Sequence, residues 1–439
     1  MRAADRITTP RGTFDVLGEQ SSARAVLEAR ARAILEGAGY ERIETPVFEA
    51  TELFARGVGA STDIVRKEMY SFEDASGRSL TLRPEGTAPV CRAYVEHGMH
   101  KLRQPVRLWY LSSFFRHERA QAGRYRQFWQ VGAEALGSED PAVDAESICL
   151  LAALLDEMGV ASVRLRLSSL GSLAARQEYR EQLQAYLREH ADTLSEDVRA
   201  RIELNPLRAF DSEHPGTRGV MRAAPLLGDF LSARDAEHFA EVRARLDAAG
   251  VAYELDHTLV RGLDYYTRTV FEFTSDALGA QSGVGGGGRY DGLVEQLGGP
   301  PTPGIGWAAG IERILLAGGV PAGAGALPPV DLFVAYEPSS AGAADGDRDG
   351  GRSAPYAPAG AFALLSEARA AGLTAQMELA GRSLKGQLGF ANSLGARYVA
   401  ILGPGGGGEI ALRDMLGGGQ DTLAADAVVH AVLRGLRTL

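Results

Sequence analysis

The stretch FFRHERAQAGRYRQFWQVGAE (Phe114–Glu134) decides the fold, because it joins two strand-like segments through a basic loop that contains glycine. Apolar and aromatic residues on both sides of the loop predict a β-hairpin with a long connection. Within eleven residues the stretch carries four arginines, opposed only by Glu118: Arg116, Arg119, Arg124 and Arg126. A solvated loop is the usual fate of such a charged run, so the arginines alone do not define a site.

The returning strand of this hairpin gives a reason to expect a ligand. Gln130 and Glu134 are separated by an even number of positions, and side chains alternate between the two faces of a strand, so both lie on one face of the sheet. An amide and a carboxylate on the same face suit a polar ligand better than an apolar core. The sequence therefore predicts a binding surface on one side of this sheet.

Two further segments concentrate polar side chains. TLRPEGTAPVCRAYVEH (Thr81–His97) places Glu85 and Thr87 before a helix, where both could cap the helix or Glu85 could hold an ammonium group. LVRGLDYYTRTVFEF (Leu259–Phe273) is otherwise strand-like. The polar or aromatic residues of this segment are Arg261, Asp264, Tyr265, Tyr266 and Arg268. An exposed hairpin face would explain any one of them, but it explains five so close together less easily.

A run of glycines lies in GVGGGGRYDGL (Gly283–Leu293). A P-loop requires Gly-Lys-Ser/Thr at the start of a helix, whereas arginine and tyrosine follow the glycines here. We interpret the run as a strand of an active-site sheet, bare of side chains so that a ligand can lie against the backbone, with a flexible hairpin loop as the alternative for part of it. GIGWAAGIERILL (Gly304–Leu316) predicts a strand and then a helix, in which Arg313 either reaches a phosphate or pairs with Glu312.

Composition limits the possible functions. The chain has 439 residues, 45% hydrophobic content and a formal charge of −10, so it can form several domains and is not coated with positive charge for non-specific nucleic-acid binding. Cys91 and Cys149 form neither a disulfide framework nor a Cys-x-x-Cys metal pair. No apolar run reaches the length of a membrane helix and the N-terminus lacks a signal peptide, so we expect a cytoplasmic protein without membrane contact.

Together these segments resemble the histidyl-tRNA synthetase family of class II aminoacyl-tRNA synthetases over nearly the whole chain. Phe114–Glu134 resembles class II motif 2, GYERIETPVFE (Gly39–Glu49) resembles motif 1 with its interface proline Pro46, and GIGWAAGIERILL resembles motif 3. PRGTFDVL at the start and the segments LRPEGTA, RGLDYYTRTVFE and GGGRYDGL resemble stretches of the histidine enzymes, and Gly381–Gly403 resembles their anticodon-binding domain. Motifs 1 and 3 are degenerate, whereas motif 2 with RGLDYY is highly specific.

The resemblance implies an α+β fold. Its class II catalytic domain, an antiparallel sheet flanked by helices, is expected at residues 1–170 with motifs 1 and 2 and at residues 251–320 with RGLDYY, the glycine run and motif 3. Charged helical segments predict a helical insertion module at residues 171–250. A Gly/Pro/Ala-rich linker at 321–330 leads to a C-terminal α/β anticodon-binding domain at 331–439, which includes a polar stretch predicted to be disordered at 338–360.

The resemblance also implies a reaction and a role for each candidate residue. L-histidine is activated with ATP to histidyl-adenylate and pyrophosphate, and histidine is then transferred to the 3′ end of its tRNA. Arg116 and Arg261 are implied as catalytic residues that place positive charge at the α-phosphate. The implied contacts are to ATP from Arg116, Arg124, Arg313 and Glu118, to histidine from Glu85, Thr87, Gln130, Glu134, Tyr265, Tyr266, Tyr290 and Arg261, and to the tRNA acceptor end from Arg119 and Gln121.

The implied partners are tRNA(His), ATP, L-histidine and a second copy of the chain, since motif 1 resembles a two-fold interface. Mg²⁺ is expected to accompany ATP, with no protein cage for a metal and no protein-bound cofactor. The chain departs from the family at Ala120, where proline is usual, and at Trp129, where histidine is usual. Ala120 should loosen the loop, because proline fixes φ, and a polar role at Trp129 is not expected.

Two alternatives share parts of this pattern. A regulatory paralogue assists ATP phosphoribosyltransferase in histidine biosynthesis without synthetase activity, and it typically lacks the C-terminal domain and part of motif 2 and RGLDYY. A tRNA-binding module without catalysis is an alternative of another class. This chain keeps Arg116, Arg261 and Arg313 and has a C-terminal domain, which favours the catalytic enzyme where fold alone would not.

Overall fold

The computed structural model describes residues 7–59, 62–118, 123–259, 263–279, 282–319, 329–337, 357–403 and 408–437. Backbone contacts divide the chain into two compact units, Met1–Gly325 and Ala326–Leu439. Within the described residues no helix is both long and apolar enough to cross a membrane. The two units are described separately below.

The first unit combines helices with two β-sheets. Its helices are α1 (Glu19–Gly37), α2 (Thr51–Gly57), α3 (Thr87–Glu96), α4 (Pro141–Glu157), α5 (Leu173–Glu189), α6 (Glu196–Arg199), α7 (Pro215–Met221), α8 (Ala233–Ala248), α9 (Leu293–Gln296) and α10 (Ile311–Gly318). Its strands are β1 (Glu41–Arg42), β2 (Phe48–Ala50), β3 (Tyr70–Glu73), β4 (Ser79–Leu82), β5 (Val106–Phe115), β6 (Gln127–Leu136), β7 (Val163–Ser169), β8 (Glu254–Leu255), β9 (Thr267–Ser275), β10 (Gly283–Arg289) and β11 (Gly304–Gly310).

The larger sheet has the strand order β1-β5-β6-β11-β10-β9-β7-β8. Its inner strands are antiparallel, and only the outer pairs β1–β5 and β7–β8 are parallel. The predicted hairpin is confirmed as β5 and β6, and the glycine run is confirmed as a strand, β10, in the middle of the sheet. The predicted α+β class, with an antiparallel sheet flanked by helices, is therefore confirmed.

The two faces of the sheet have different partners. On β6, Val131, Ala133 and Ala135 point into an apolar core shared with α1, α4 and α8. Helix α1 contributes a stripe of buried residues at helical spacing, as expected for an amphipathic helix: Ala23, Leu27, Ala31 and Leu35. Gln130 and Glu134 alternate with the core residues of β6, so they lie on the opposite face. This face also carries Tyr110 and Tyr290, which belong to a second core with α3 and α5.

Helices α5 to α8 fall within the proposed insertion at residues 171–250. Tyr179, Leu183 and Leu187 of α5 pack in the second core, whereas Val242 and Leu246 of α8 pack with α4 in the first. The helical segment therefore contacts both layers of the unit. Its boundaries as an insertion module stay a proposal.

The motif 1 segment forms two short strands, each at the edge of a different sheet. β1 pairs with β5 in the large sheet, whereas β2 joins a separate three-stranded sheet of order β2-β4-β3. Pro46 lies between them, where it lacks the N–H that a continuing strand would donate. Buried Arg83 stabilises the chain between β1 and β2, because its Nη1 donates to the carbonyl oxygen of Thr45 at 2.7 Å.

The second unit is a small α/β fold. Its strands are β12 (Leu332–Tyr336), β13 (Ala375–Met377), β14 (Tyr398–Leu402), β15 (Glu409–Asp414) and β16 (Gln420–Ala424), and its helices are α11 (Ala359–Ala370), α12 (Leu384–Ser393) and α13 (Ala425–Arg437). β13, β12 and β14 are parallel, and β14, β15 and β16 are antiparallel. Of the stretch 338–360 that was predicted to be disordered, residues 338–356 lie outside the described residues. The end of that prediction is wrong, because α11 begins at Ala359.

Candidate active site

A cleft of about 580 Å³ in the first unit lies over the face of the large sheet that carries Gln130. Segments far apart in the sequence meet there, including the ends of the motif 2 hairpin, the start of α3, the glycine strand and the start of α10. The cleft is lined by most of the predicted site residues: Glu85, Thr87, Arg116, Glu118, Arg124, Gln130, Tyr265, Tyr266 and Arg313. The structure therefore brings together side chains from four of the segments that the sequence singled out.

The remaining predicted site residues need separate mention. Glu134 and Tyr290 are not among the lining residues and lie buried beside them. Arg261, Arg119 and Gln121 lie outside the described residues, as does the departure at Ala120. Their roles stay predictions.

The glycine strand makes close approach possible within the sheet as well as at the cleft. Backbone of Gly283, Gly285 and Gly286 lines the cleft. A Cβ atom on Gly287 would lie 1.9 Å from the carbonyl oxygen of Gly306, so the neighbouring strand β11 also excludes a side chain. A Cβ atom on Gly306 would lie 1.7 Å from Oε2 of Glu134, so this glycine makes room for the buried carboxyl group. Close packing inside the sheet is thus a second physical reason, besides the approach of a ligand, for the absence of side chains on this strand.

One end of the cleft is cationic. Arg116 is held in one orientation, because its Nε donates to the carbonyl oxygen of Pro84 at 2.8 Å and its Cζ lies 5.3 Å from the centre of the Phe128 ring. Glu118 lies between two arginines, 3.7 Å from Nη1 of Arg116 and 3.4 Å from Nη1 of Arg124. Arginine presents a planar, permanently charged fork, so this end suits phosphate oxygens.

Arg313 extends the cationic end from the first turn of α10. Its Nε donates to the carbonyl oxygen of Gly283 at 2.5 Å, which ties motif 3 to the glycine strand. Burial lowers the pKa of Arg313, and the nearby charge of Arg124 lowers it further. Two like charges in a half-buried cleft disfavour each other, and an anionic ligand would relieve that repulsion.

Glu85 both caps a helix and lines the cleft. Its carboxylate accepts the backbone N–H groups of Thr87 at 2.8 Å and Ala88 at 3.0 Å, at the start of α3. Burial raises the pKa of Glu85, although these two bonds and the charge of Arg116 act in the opposite direction. The capping and ligand-binding interpretations are therefore compatible, since a carboxylate has lone pairs beyond those the helix uses.

Glu134 is the centre of a buried cluster of hydroxyl groups. Tyr290 Oη donates to its Oε2 at 2.6 Å, and Oε1 accepts from Thr87 Oγ1 at 2.8 Å and Tyr110 Oη at 3.4 Å. Burial raises the pKa of Glu134 to about 8, against the opposing effect of the Tyr290 and Thr87 hydroxyls. Thr87 and Tyr110 also line the cleft, so they connect this buried carboxyl group to the ligand space.

Tyr265 and Tyr266 form an aromatic wall. Their ring centres are 4.7 Å apart, and Tyr265 also lies 5.8 Å from Tyr290 in an edge-to-face arrangement. All three are buried. The wall therefore joins the RGLDYY segment to the residues after the glycine run.

Several charged residues near the site serve the fold. Arg289, the arginine after the glycines, is fully buried and pairs with Asp144 of α4 at 2.5 Å, so it does not face the cleft. Arg268 is bonded to Asp235 at 3.2 Å, away from the lining residues. Glu312 accepts from Arg24 of α1 at 2.5 Å. The sequence allowed Arg313 either to reach a phosphate or to pair with Glu312. Because Glu312 pairs with Arg24, the structure favours the first alternative.

Trp129, one of the departures from the family, lies by this last pair. Its ring centre is 5.6 Å from Cζ of Arg24, and its backbone N–H donates to Glu312 at 3.1 Å. Trp129 packs against the first core, on the face of β6 away from the cleft. The departure therefore changes packing behind the sheet.

The lining side chains that sequence reasoning missed include Tyr110, Phe128, Arg166 and Glu272. Tyr110 pairs in register with Gly132, where a Cβ atom would lie 2.3 Å from the Tyr110 ring. Gly132, on the same face of β6 as Gln130 and Glu134, was the available sign that a bulky side chain of a neighbouring strand occupies this face. Arg166 and Glu272 lie on paired strands, 3.3 Å apart, and only the sheet order reveals that they reach the cleft.

Comparisons with known proteins agree with this geometry. A family model described as histidyl-tRNA synthetase matches residues 12–314. The chain is 47% identical to histidine--tRNA ligase from Rubrobacter xylanophilus, covering 93% of this chain and 95% of that protein. It is 47% identical to histidine--tRNA ligase from Desulforudis audaxviator, covering 98% and 99%. The structure of apo histidyl-tRNA synthetase from S. aureus superposes with a TM-score of 0.76 at 34% identity, covering 97% of this chain and 100% of that one.

The antiparallel sheet, its arginine-lined cleft and these matches define an aminoacyl-tRNA synthetase with the class II fold. More specifically, the chain belongs to the histidyl-tRNA synthetase family.

Proposed function

We propose that this chain activates L-histidine with ATP, releasing pyrophosphate, and transfers the histidyl group from the adenylate to the 3′ end of tRNA(His). The observation that carries the proposal is the division of one cleft into a cationic end and a carboxyl and tyrosine end. The arginines suit the phosphates of ATP, and the carboxyl groups and tyrosines suit an amino acid with an ammonium group and a polar ring. Family membership adds independent support.

Adenylate formation requires the carboxylate of histidine to attack the α-phosphorus of ATP. Negative charge builds up on the phosphate oxygens in the transition state, so cations held in place beforehand lower the barrier. Arg116 is such a cation, because Pro84 and Phe128 fix its guanidinium. We assign Arg124, Glu118 and Arg313 to ATP, with Arg313 at the γ-phosphate end, and Arg261 to the α-phosphate from the other side. Mg²⁺ would enter bound to ATP.

The other end of the cleft would select histidine. We assign Glu85, Thr87 and Gln130 to the α-amino group, and Tyr265 and Tyr266 to the imidazole ring, with Glu134 and Tyr290 completing the polar environment. A pocket that hydrogen-bonds both ring nitrogens leaves buried groups unpaired when another side chain enters, so discrimination can reach ~10⁴ without editing. Arg119 and Gln121 are assigned to the tRNA acceptor end, and a cytoplasmic location stays a prediction.

Histidine-dependent ATP–pyrophosphate exchange tests this function. We expect exchange that requires both L-histidine and Mg²⁺ and that is not supported by other amino acids. Charging of tRNA(His) by the same preparation tests the second step. A control synthetase should be active in the same assay. If it is active and this chain shows no exchange, the proposal is contradicted and the regulatory paralogue or the tRNA-binding module is favoured.

We also propose that two copies pair through the three-stranded sheet. This sheet exposes apolar side chains, since Phe48 and Phe72 are 50% and 45% exposed with ring centres 6.3 Å apart, and Val47 adjoins them. Such exposed aromatic pairs indicate a surface that is covered in the assembly. Sedimentation should give twice the 46.6 kDa chain mass, and Phe48→Asp should shift the protein to monomers. A wild-type chain that sediments as a monomer would contradict the assignment.

A further inference from the structure

The tyrosine wall stands on a segment without regular secondary structure. Tyr265 and Tyr266 precede β9, and the described part of their segment begins at Leu263 in a turn. Outside β9, the backbone N–H of Asp264 donates to the carbonyl oxygen of Val58 at 3.2 Å. A turn of this kind has few ladder hydrogen bonds of its own, so its conformation depends on what contacts its carbonyl groups.

Arg176, in the first turn of α5, supplies that contact. Its Nη1 donates to the carbonyl oxygen of Asp264 at 3.2 Å and also to the carbonyl oxygen of Tyr266. One guanidinium nitrogen therefore bridges the peptide groups that precede Tyr265 and follow Tyr266. The donors are charged, so these bonds are stronger than bonds between neutral groups.

Asn205, the residue that precedes the 3₁₀ helix Pro206–Asp211, braces the same segment. Its Nδ2 donates to Oδ1 of Asp264 at 3.3 Å. The helical segment thus contacts the backbone and a side chain of the turn that carries the tyrosine wall. None of these contacts involves the arginines at the phosphate end of the cleft.

We propose that Arg176 is a positioning residue for the histidine end of the cleft, acting through the backbone that precedes Tyr265 and follows Tyr266. This inference rests on the proposed function, because it assumes that the tyrosine wall contacts histidine. A displacement of about 1 Å at a substrate-positioning group can reduce catalysis by ~10²-fold. Loss of Arg176 therefore weakens histidine recognition and leaves ATP recognition largely intact.

Arg180 offers a matched control one turn further along α5. Its Nη2 also donates to two carbonyl oxygens, those of Glu203 and Leu204, at 2.7 Å each. These carbonyls belong to the helical segment and not to the tyrosine turn. Arg176→Met and Arg180→Met therefore each remove one arginine from α5 that bridges two carbonyls, and only the first removes a direct contact with the tyrosine turn.

The experiment measures exchange kinetics and melting temperature for wild type, Arg176→Met, Arg180→Met, Arg176→Lys and Asn205→Ala. In Arg176→Met the KM for histidine should rise by about tenfold or more, with the KM for ATP within about twofold of wild type. Arg180→Met should keep both KM values, Arg176→Lys should recover part of the loss, and Asn205→Ala should raise the histidine KM by a smaller factor.

Two results would overturn the inference. The first is an active wild type in which Arg176→Met and Arg180→Met have equal kinetics. If Arg176→Met does not fold, the second is an unchanged histidine KM in Asn205→Ala. An inactive wild type would instead count against the proposed function, so the two failures are distinguishable.

Discussion

Replacing Arg116 with alanine should lower kcat/KM for histidine-dependent exchange by about a thousandfold, in the range found when one charge-stabilising donor is removed from an active site. The melting temperature should change little, because Arg116 is part of the cleft lining and its side chain is partly exposed. The expected loss is large because the guanidinium is already oriented by Pro84 and Phe128, so no reorganisation is needed as charge develops.

Arg116→Lys and Arg107→Ala complete this test. Lysine keeps the charge but cannot donate from Nε to Pro84 and present a fork at the same time, so Arg116→Lys should recover only a small part of the activity. Arg107 lies on β5, the strand that ends just before Arg116, and it pairs with Glu146 at 3.3 Å outside the cleft, so Arg107→Ala should keep wild-type kinetics. Exchange by Arg116→Ala within about threefold of wild type would remove Arg116 from its catalytic assignment.

The sequence predicted the central hairpin because its features are local. Alternation along β6 places Val131 and Ala133 in one core and Gln130 and Glu134 on the other face, and pairing with β5 follows from the length of the apolar arms. The glycine strand was likewise predictable, because a run without lysine in an antiparallel context cannot be a P-loop. The division of the motif 1 segment between two sheets has no such local sign, because it depends on which strands β1 and β2 each pair with.

Partners that are distant in the chain could not be predicted. Arg289 and Asp144 are 145 positions apart, and Arg24 and Glu312 are 288 positions apart. These ion pairs depend on which helix covers which strand, and no periodicity in one segment contains that information. The hydrogen bond from Tyr290 to Glu134, which are 156 positions apart, is a further contact of this kind.

Glu134 should make the stability of the protein depend on pH. Its pKa is about 8 in the folded chain and near 4.5 for an exposed glutamate, so between these values the folded state holds a proton that the unfolded state releases. The free energy of unfolding should therefore fall as the pH rises through this window, by about 1.4 kcal/mol per pH unit from this group. Below pH ~4.5 the contribution is constant, since both states are protonated.

Glu134→Gln should flatten that dependence. An uncharged amide of the same size can accept from Tyr290 and donate to another hydroxyl of the cluster, so the fold is kept while the titration is removed. Urea unfolding at several pH values from about 5 to about 8 should show a slope smaller than that of wild type by up to 1.4 kcal/mol per pH unit. Glu96→Gln, on the exposed side of α3, should keep the wild-type slope. Equal slopes for wild type and Glu134→Gln would mean that Glu134 is ionised in the folded protein throughout this range, and its hydroxyl cluster would then hold a charged carboxylate.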